Sequence, residues 1–268
     1  MMKKLVMFAA AFLMIAALAG CKKVQKEDNS LEELQRRKVF VLGLDDSFPP
    51  MGFRNDDNEI VGFDIDLAKE VAARLGVEFK AQPINWDAKE LELSTGKIDC
   101  IWNGLTITSE RLEALAFTKP YLNNAQVLVV RANSGIKTLE DAAGKIAGIQ
   151  SGSSAQDALV NNTGFKNSLK NIIPFKDNLT AMNDLENRGI DIVIMDSVVA
   201  AYDIAQTGKP FEIVETPLEK EMYGIAFRKN DLKLRDAVQA ALEEMAADGT
   251  VESISRKWFG SDITVIGK

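Results

Sequence analysis

Along the chain, short continuous apolar runs alternate with helical stripes. Val39-Phe40-Val41-Leu42-Gly43 is a compact apolar run that predicts a strand. From about Asp64, residues Leu67, Val71 and Leu75 stand at i, i+4 and i+8, one face of a helix, and Gly76 is placed to end it. A strand at Val77 to Phe79, a helix at Trp86 to Ser94, a strand at Ile98 to Trp102 and a helix at Ser109 to Leu115 continue the series. Such alternation predicts a largely parallel sheet. Upstream, Ser30 and Glu33 have the spacing of a capping box at the head of a short helix.

The rhythm returns after an extended stretch from Gln126 to Arg131. It gives a strand at Lys145 to Ile149, a helix opening near Ser153, a strand at Ile172 to Phe175, a helix at Leu179 to Asn187 and a strand at Ile190 to Met195. A second extended run, Met222 to Arg228, follows Pro217, and Val238, Leu242 and Met245 share one face of a C-terminal helix. Two α/β units joined by two extended segments, with the chain finishing on the first unit, predict a cleft spanned by a two-strand hinge. Clefts between lobes are favoured ligand sites, and hinge closure is their natural motion.

Composition narrows the chemistry. The 268 residues are 46% hydrophobic and 26% charged, the balance of a soluble globular protein with core enough for two modest lobes. A net charge of −7 argues against nucleic acid as a partner, because phosphate binding leaves a basic footprint. Histidine is absent, which removes the commonest general base, His-containing triads and most catalytic zinc sites. Cys21 and Cys100 are too few for a Cys-based structural metal site, so no cofactor or metal is expected.

The N-terminus sets the compartment. Lys3 and Lys4 precede an apolar run of 15 residues, Leu5 to Ala19. A membrane span needs about 20, so residues 1–20 read as a secretory signal peptide. The run ends in Leu18-Ala19-Gly20-Cys21, which resembles the bacterial lipobox, where the cysteine is acylated. Polar residues Lys22 to Asn29 then read as a flexible tether. With Cys21 carrying lipid, Cys100 has no disulfide partner and reads as a buried thiol.

Several segments together resemble a known family. These are Ile60-Val61-Gly62-Phe63-Asp64-Ile65-Asp66-Leu67-Ala68, Gly96-Lys97-Ile98-Asp99, Gly104-Leu105-Thr106-Ile107-Thr108-Ser109-Glu110-Arg111 and Ala116-Phe117-Thr118 with Pro120-Tyr121. The pattern continues through Gln150-Ser151-Gly152-Ser153-Ser154, Asp191 to Asp196 and Tyr223-Gly224-Ile225-Ala226-Phe227. In this order, over about Lys38 to Phe259, the chain resembles the bacterial extracellular solute-binding proteins of family 3, the polar amino-acid-binding lipoproteins of ABC importers. The resemblance implies a periplasmic-binding-protein-like α/β fold of two lobes, with the ligand in the interlobe cleft. Residues 1–20 would be signal peptide and 21–35 the lipidated cysteine and tether. Lobe 1 would comprise 36–121 and 224–268, lobe 2 would comprise 126–219, and 122–125 and 220–223 would be the hinge segments.

The resemblance also implies roles for particular residues. Arg111 matches the arginine that grips an α-carboxylate with a bidentate fork. Thr106 would add a hydroxyl donor, and the backbone of Asn103 and Gly104 would meet the zwitterion. Asp196 matches the carboxylate that pairs with the α-ammonium. Ser153 and Ser154 would present a helix N-terminus to the ligand carboxylate. Phe48 and Trp86 match rings that stack on the ligand side chain, although core packing also accounts for them. Asp45 would face the ligand tip, as in relatives that take basic amino acids or glutamine; a turn carboxylate facing water is the other reading. Gln150 faces it from lobe 2, where glutamine-binding relatives tend to carry lysine. Acidic ligands are disfavoured because their tips would meet Asp45.

The expected function is capture of a polar, basic L-amino acid by an extracytoplasmic, lipid-anchored monomer. Its partners are the free amino acid and an ABC permease in the plasma membrane, with no chemistry performed. Glutamine or another neutral polar amino acid is the alternative ligand. A periplasmic dehydratase on the same fold is a further alternative, but such enzymes usually dispense with the aspartate that Asp196 matches. A sensor or cell-wall module would carry an appended domain, and none is expected in a chain that stops at Lys268.

Overall fold

The computed structural model describes residues 27–268. The signal-peptide reading, Cys21 and the first part of the tether lie outside the described residues.

The first lobe is built on a five-stranded sheet with β1 (Val39–Leu44) near its centre, flanked in parallel by β5 (Glu78–Pro83) and β6 (Cys100–Ile101). Beyond β6 lie β14 (Ala226–Arg228) and β7 (Leu115–Phe117), and β14 runs antiparallel to both neighbours. Four of the five strands therefore run in one direction, as the alternation predicts, and only β14, which returns from the other lobe, opposes them. Helix α2 (Phe63–Arg74) buries Phe63, Leu67 and Val71, the predicted stripe shifted one turn towards the N-terminus, and Gly76 takes a left-handed φ of 69° after it. A small hairpin sheet of β2 (Ser47–Phe48), β3 (Gly52–Arg54) and β4 (Ile60–Val61) follows β1.

The strand expected at Ile98 to Trp102 is paired as a ladder only over β6, yet the Asp99 and Trp102 amides still donate to Val41 and Gly43 on β1. Cys100, within it, is a buried free thiol, and burial pushes its pKa well up.

The chain enters the second lobe along β8 (Leu122–Arg131). That lobe's sheet runs β10 (Asn171–Phe175), β9 (Ile146–Gln150), β11 (Ile192–Asp196), β8 and β12 (Phe211–Ile213), with β13 (Glu219–Tyr223) paired to the other half of β8. The β9 strand is parallel to β10 and β11, whereas β8 is antiparallel to all its partners. Met222 to Arg228, expected as one extended run, is two strands in two different sheets, and the chain changes lobe at Gly224 and Ile225. For the same reason β8 starts four residues before Gln126: Leu122 to Ala125 pair with the returning β13.

Helices α3 (Lys89–Ser94) and α4 (Ser109–Ala114) belong to the first lobe. The second carries α5 (Ser154–Asn161), α6 (Thr163–Ser168), α7 (Asn178–Glu186) and α8 (Ser197–Thr207). The chain ends on the first lobe with α9 (Leu232–Ala247), which buries Val238, Leu242 and Met245 as predicted, and α10 (Thr250–Phe259).

Helix α1 (Ser30–Arg37) corrects two expectations. Ser30 lies inside the helix and makes no capping box; instead the Asp28 carboxylate accepts from the Ser30 amide at 3.0 Å. Leu34 is fully buried and α1 packs on α9, so residues 30–35 are part of the first lobe and not of a tether.

Candidate functional site

The site is held from the first lobe by the turn after β6. Buried Asp64, at the head of α2, accepts from the Gly104 amide at 2.8 Å and from the Tyr121 hydroxyl at 3.0 Å. Burial pushes the Asp64 carboxyl up to about 7. Gly104 has φ 60°, and a Cβ there would stand 3.0 Å from the Phe48 ring and 3.1 Å from Tyr223, so only glycine fits. Asn103 is buried, its oxygen accepts from the Asp45 amide at 3.0 Å, and its nitrogen has no partner.

The Thr106-x-Thr108-x-x-Arg111 spacing has a mechanical basis. Thr108 N-caps α4 by accepting from the Arg111 amide at 3.2 Å, which aims the arginine side chain back along the turn. The Arg111 guanidinium donates to the Thr106 carbonyl at 2.9 Å and, across the lobes, to the Gly152 carbonyl at 3.4 Å. It is buried and, among the described residues, has no carboxylate partner.

All eleven residues singled out from sequence line one cavity between the lobes. Asp45, Phe48, Trp86, Asn103, Gly104, Thr106 and Arg111 come from the first lobe; Gln150, Ser153, Ser154 and Asp196 come from the second. Phe48 and Trp86 do both things open to them, since each packs in a hydrophobic core while forming part of the wall. Asp45 is buried rather than facing water, which pushes its pKa up, and it accepts from Gln150 across the lobes at 2.7 Å. Asp196 ends β11 and accepts from Asn124 at 2.6 Å, Gln126 at 3.0 Å and the Tyr223 hydroxyl at 2.7 Å. Burial, and Glu221 beside it, push the Asp196 carboxyl well above the usual range. Ser153 stands at the N-cap of α5 without capping it, its hydroxyl donating to the Gln150 carbonyl at 2.8 Å.

Two residues escape the sequence reading. Lys89 is only 3% exposed, lies over the Trp86 ring at 5.2 Å and donates across the lobes to the Gly152 carbonyl at 2.8 Å. Burial, with Arg111 nearby, brings its pKa down to about 8. Glu221, on β13, accepts from Thr106 at 2.8 Å, Asn124 at 2.6 Å and Gln126 at 2.9 Å. The Thr106 hydroxyl expected to serve a ligand carboxylate therefore has an internal acceptor. Nothing in the local pattern marks either residue: Lys89 sits among charged helix positions, and Glu221 in an alternation typical of an exposed strand.

The comparison with known proteins agrees with this geometry. The family model for bacterial extracellular solute-binding proteins, family 3, matches residues 40–261. The chain belongs to this family. Among its relatives, the L-cystine-binding protein TcyJ of Escherichia coli (strain K12) is 31% identical, with 93% of this chain and 94% of TcyJ aligned. The arginine-binding extracellular protein ArtP of Bacillus subtilis (strain 168) is 30% identical, over 96% of this chain and 98% of ArtP. An ABC uptake transporter substrate-binding protein from Streptococcus pneumoniae, solved with bound histidine, superposes with a TM-score of 0.86 at 38% identity, covering 90% of this chain and all of that one. Two-lobe α/β architecture is thus shared with these solute-binding proteins.

Proposed function

We propose that this solute-binding protein captures a polar, basic L-amino acid in the interlobe cavity and delivers it unchanged to the permease of an ABC importer. The observation that carries the reading is Arg111, a buried guanidinium on the cavity wall with no carboxylate of its own among the described residues. An unpaired buried cation is costly, and a ligand α-carboxylate supplies its partner. The wall also carries two buried carboxylates, Asp45 and Asp196. A ligand with one carboxylate and two cationic groups complements that set, and arginine and lysine have this make-up. Asp196 would pair with the α-ammonium, Asp45 would meet the cationic tip, and Phe48 and Trp86 would flank the stem. The relative named for arginine and the one solved with histidine fit the same substrate class, whereas the cystine-binding relative takes an amino acid that is not basic.

A neutral amide such as glutamine is the second reading, favoured by one contact. Asp45 accepts here from the amide of Gln150 at 2.7 Å, so a neutral donor can satisfy it. Thermal-shift screening with the twenty amino acids, followed by calorimetry, separates the two. Stabilisation by arginine or lysine above all others supports the basic reading. A response to glutamine alone moves the assignment to neutral ligands, no response to any amino acid removes it, and turnover of a bound ligand would make the protein an enzyme.

Capture works by closure about the two crossing segments, 122–125 and 220–223. The lipobox supports an extracytoplasmic protein, lipid-anchored through Cys21.

A further inference from the structure

Asp196 and Glu221 form a carboxylate pair that, among the described residues, no lysine or arginine neutralises. They lie on β11 and β13, which pair with β8 on its opposite sides, where Asp196 is in register with Gln126 and Glu221 with Asn124. The side-chain nitrogens of Asn124 and Gln126 each donate to both acids, to Asp196 Oδ1 at 2.6 and 3.0 Å and to Glu221 Oε1 at 2.6 and 2.9 Å. Two amides thus bridge the same two oxygens. Gln126, fully buried, turns its nitrogen to the acids at the cost of leaving its own oxygen without a partner.

Every other group on the pair is a neutral hydroxyl. Tyr223 donates to Asp196 at 2.7 Å, and Thr106 and Ser154 reach Glu221 at 2.8 and 3.3 Å. From α8, the Ser197 hydroxyl donates to the Asn124 oxygen at 3.1 Å and accepts from the Ala125 amide at 3.3 Å. Arg111 shares the cavity but directs its guanidinium to the Thr106 and Gly152 carbonyls, and Asp45 is held by Gln150. Two carboxylates packed this closely, one of them 5% exposed, repel strongly when both are ionised.

We propose that Asp196 and Glu221 hold one proton between them in the free protein, and that the ammonium of an incoming ligand takes the place of that proton, which leaves to solvent. Glu221 thereby becomes a second carboxylate of the ammonium subsite, and ligand uptake is coupled to proton release. The two acids stand on β11 and β13, both paired to β8, and Glu221 lies on one of the two crossing segments. The burial and mutual repulsion that push Asp196 upward act in the same direction. The first half of the proposal needs no ligand; the second rests on the amino-acid reading above.

Two measurements separate those halves. In the first, carboxyl-carbon NMR follows Asp196 and Glu221 through a pH titration of the free full-length protein. An Asp196 step well above the ordinary carboxylate range is expected, moving down in Glu221→Gln. An ordinary Asp196 step in the wild type, or one unmoved in Glu221→Gln, would overturn the shared proton.

In the second, calorimetry with L-arginine, and with L-glutamine in parallel, is run in two buffers of different ionisation enthalpy at a pH below the Asp196 step. Release of a substantial fraction of one proton per ligand is expected, falling several-fold in Glu221→Gln. Binding without release, or equal release from both proteins, overturns the displacement. If neither amino acid binds, the substrate reading and the displacement fall together, while the titration still decides the shared proton.

Discussion

The Lys89 ammonium of one lobe is hydrogen-bonded at 2.8 Å to the Gly152 carbonyl of the other, beside the same carbonyl's longer contact with Arg111 at 3.4 Å. Both cations thus close on one backbone oxygen at the cavity edge. Lys89→Met keeps most of the stem and removes the bond. A charged hydrogen bond contributes about 1.5–3 kcal/mol, offset in part by the desolvation no longer needed. A net loss of about 1 kcal/mol, roughly fivefold in affinity, is expected by calorimetry, with a larger average radius in small-angle scattering of the liganded protein. Unchanged affinity and radius would remove Lys89 as a latch.

Arg111→Ala is expected to abolish amino-acid binding with the fold intact. Truncating one partner of a desolvated charge pair costs about 2–5 kcal/mol. Calorimetry reports the affinity and circular dichroism the fold. Affinity within about threefold of wild type, only ~0.7 kcal/mol, would take Arg111 out of the ligand's reach.

For specificity, Asp45→Asn should weaken arginine or lysine far more than glutamine. A buried cationic tip loses its counter-charge, at about 2–5 kcal/mol, whereas a neutral amide exchanges one hydrogen-bond partner for another at about 0.5–1.5 kcal/mol. Competition binding with the three amino acids measures the ratio. Equal losses would show that Asp45 does not meet the tip.

Asp64 makes the stability of the first lobe pH-dependent. Its carboxyl titrates from an ordinary 3.8 in the unfolded chain and near 7 in the fold. Between those values the native state holds a proton that the unfolded state has lost, so this group's contribution falls as pH rises and levels off above about 7. Asp64→Asn should flatten the curve by up to about 1.4 kcal/mol per pH unit across that window. Urea unfolding of both proteins over the window checks this, and parallel curves would contradict it.

For the N-terminus, Cys21→Ala should lose fatty-acid label in growing cells and keep wild-type ligand affinity, because tether and cleft are separate parts. Label retained by the variant would refute the lipobox.

Long stripes and apolar runs were legible in the sequence because their periodicity spans several turns or residues, as in α2, α9 and β11. Strands of two residues, such as Ser47–Phe48 and Ile60–Val61, are too short to have a period, and they form only because the hairpin folds onto the lobe. The split between β13 and β14 is a tertiary event at Gly224, invisible to a pattern that sees only extended backbone. In the cavity, residues carried by a family motif could be read one by one. Lys89 and Glu221 could not, because what distinguishes them is burial by the opposite lobe and by a neighbouring strand. Asp64 looks like an ordinary helix-head acid until Gly104 and Tyr121 are seen to depend on it.

Helix α1 is fastened to α9 at its very start, where Asp28 accepts from the Lys233 amide at 2.6 Å and Ser30 from the Leu234 amide at 3.1 Å. Whatever holds the chain upstream of residue 27 therefore pulls on the first lobe alone. The second lobe hangs from it by two adjacent strands, β8 and β13, with no covalent attachment of its own to an anchor. In a tethered molecule the first lobe would be the stator and the second the rotor, and under the proposed closure occupancy of the cleft would be broadcast as the angle of the rotor. A transporter that docks both faces at once would read that angle directly, and so could tell a loaded molecule from an empty one without touching the amino acid inside.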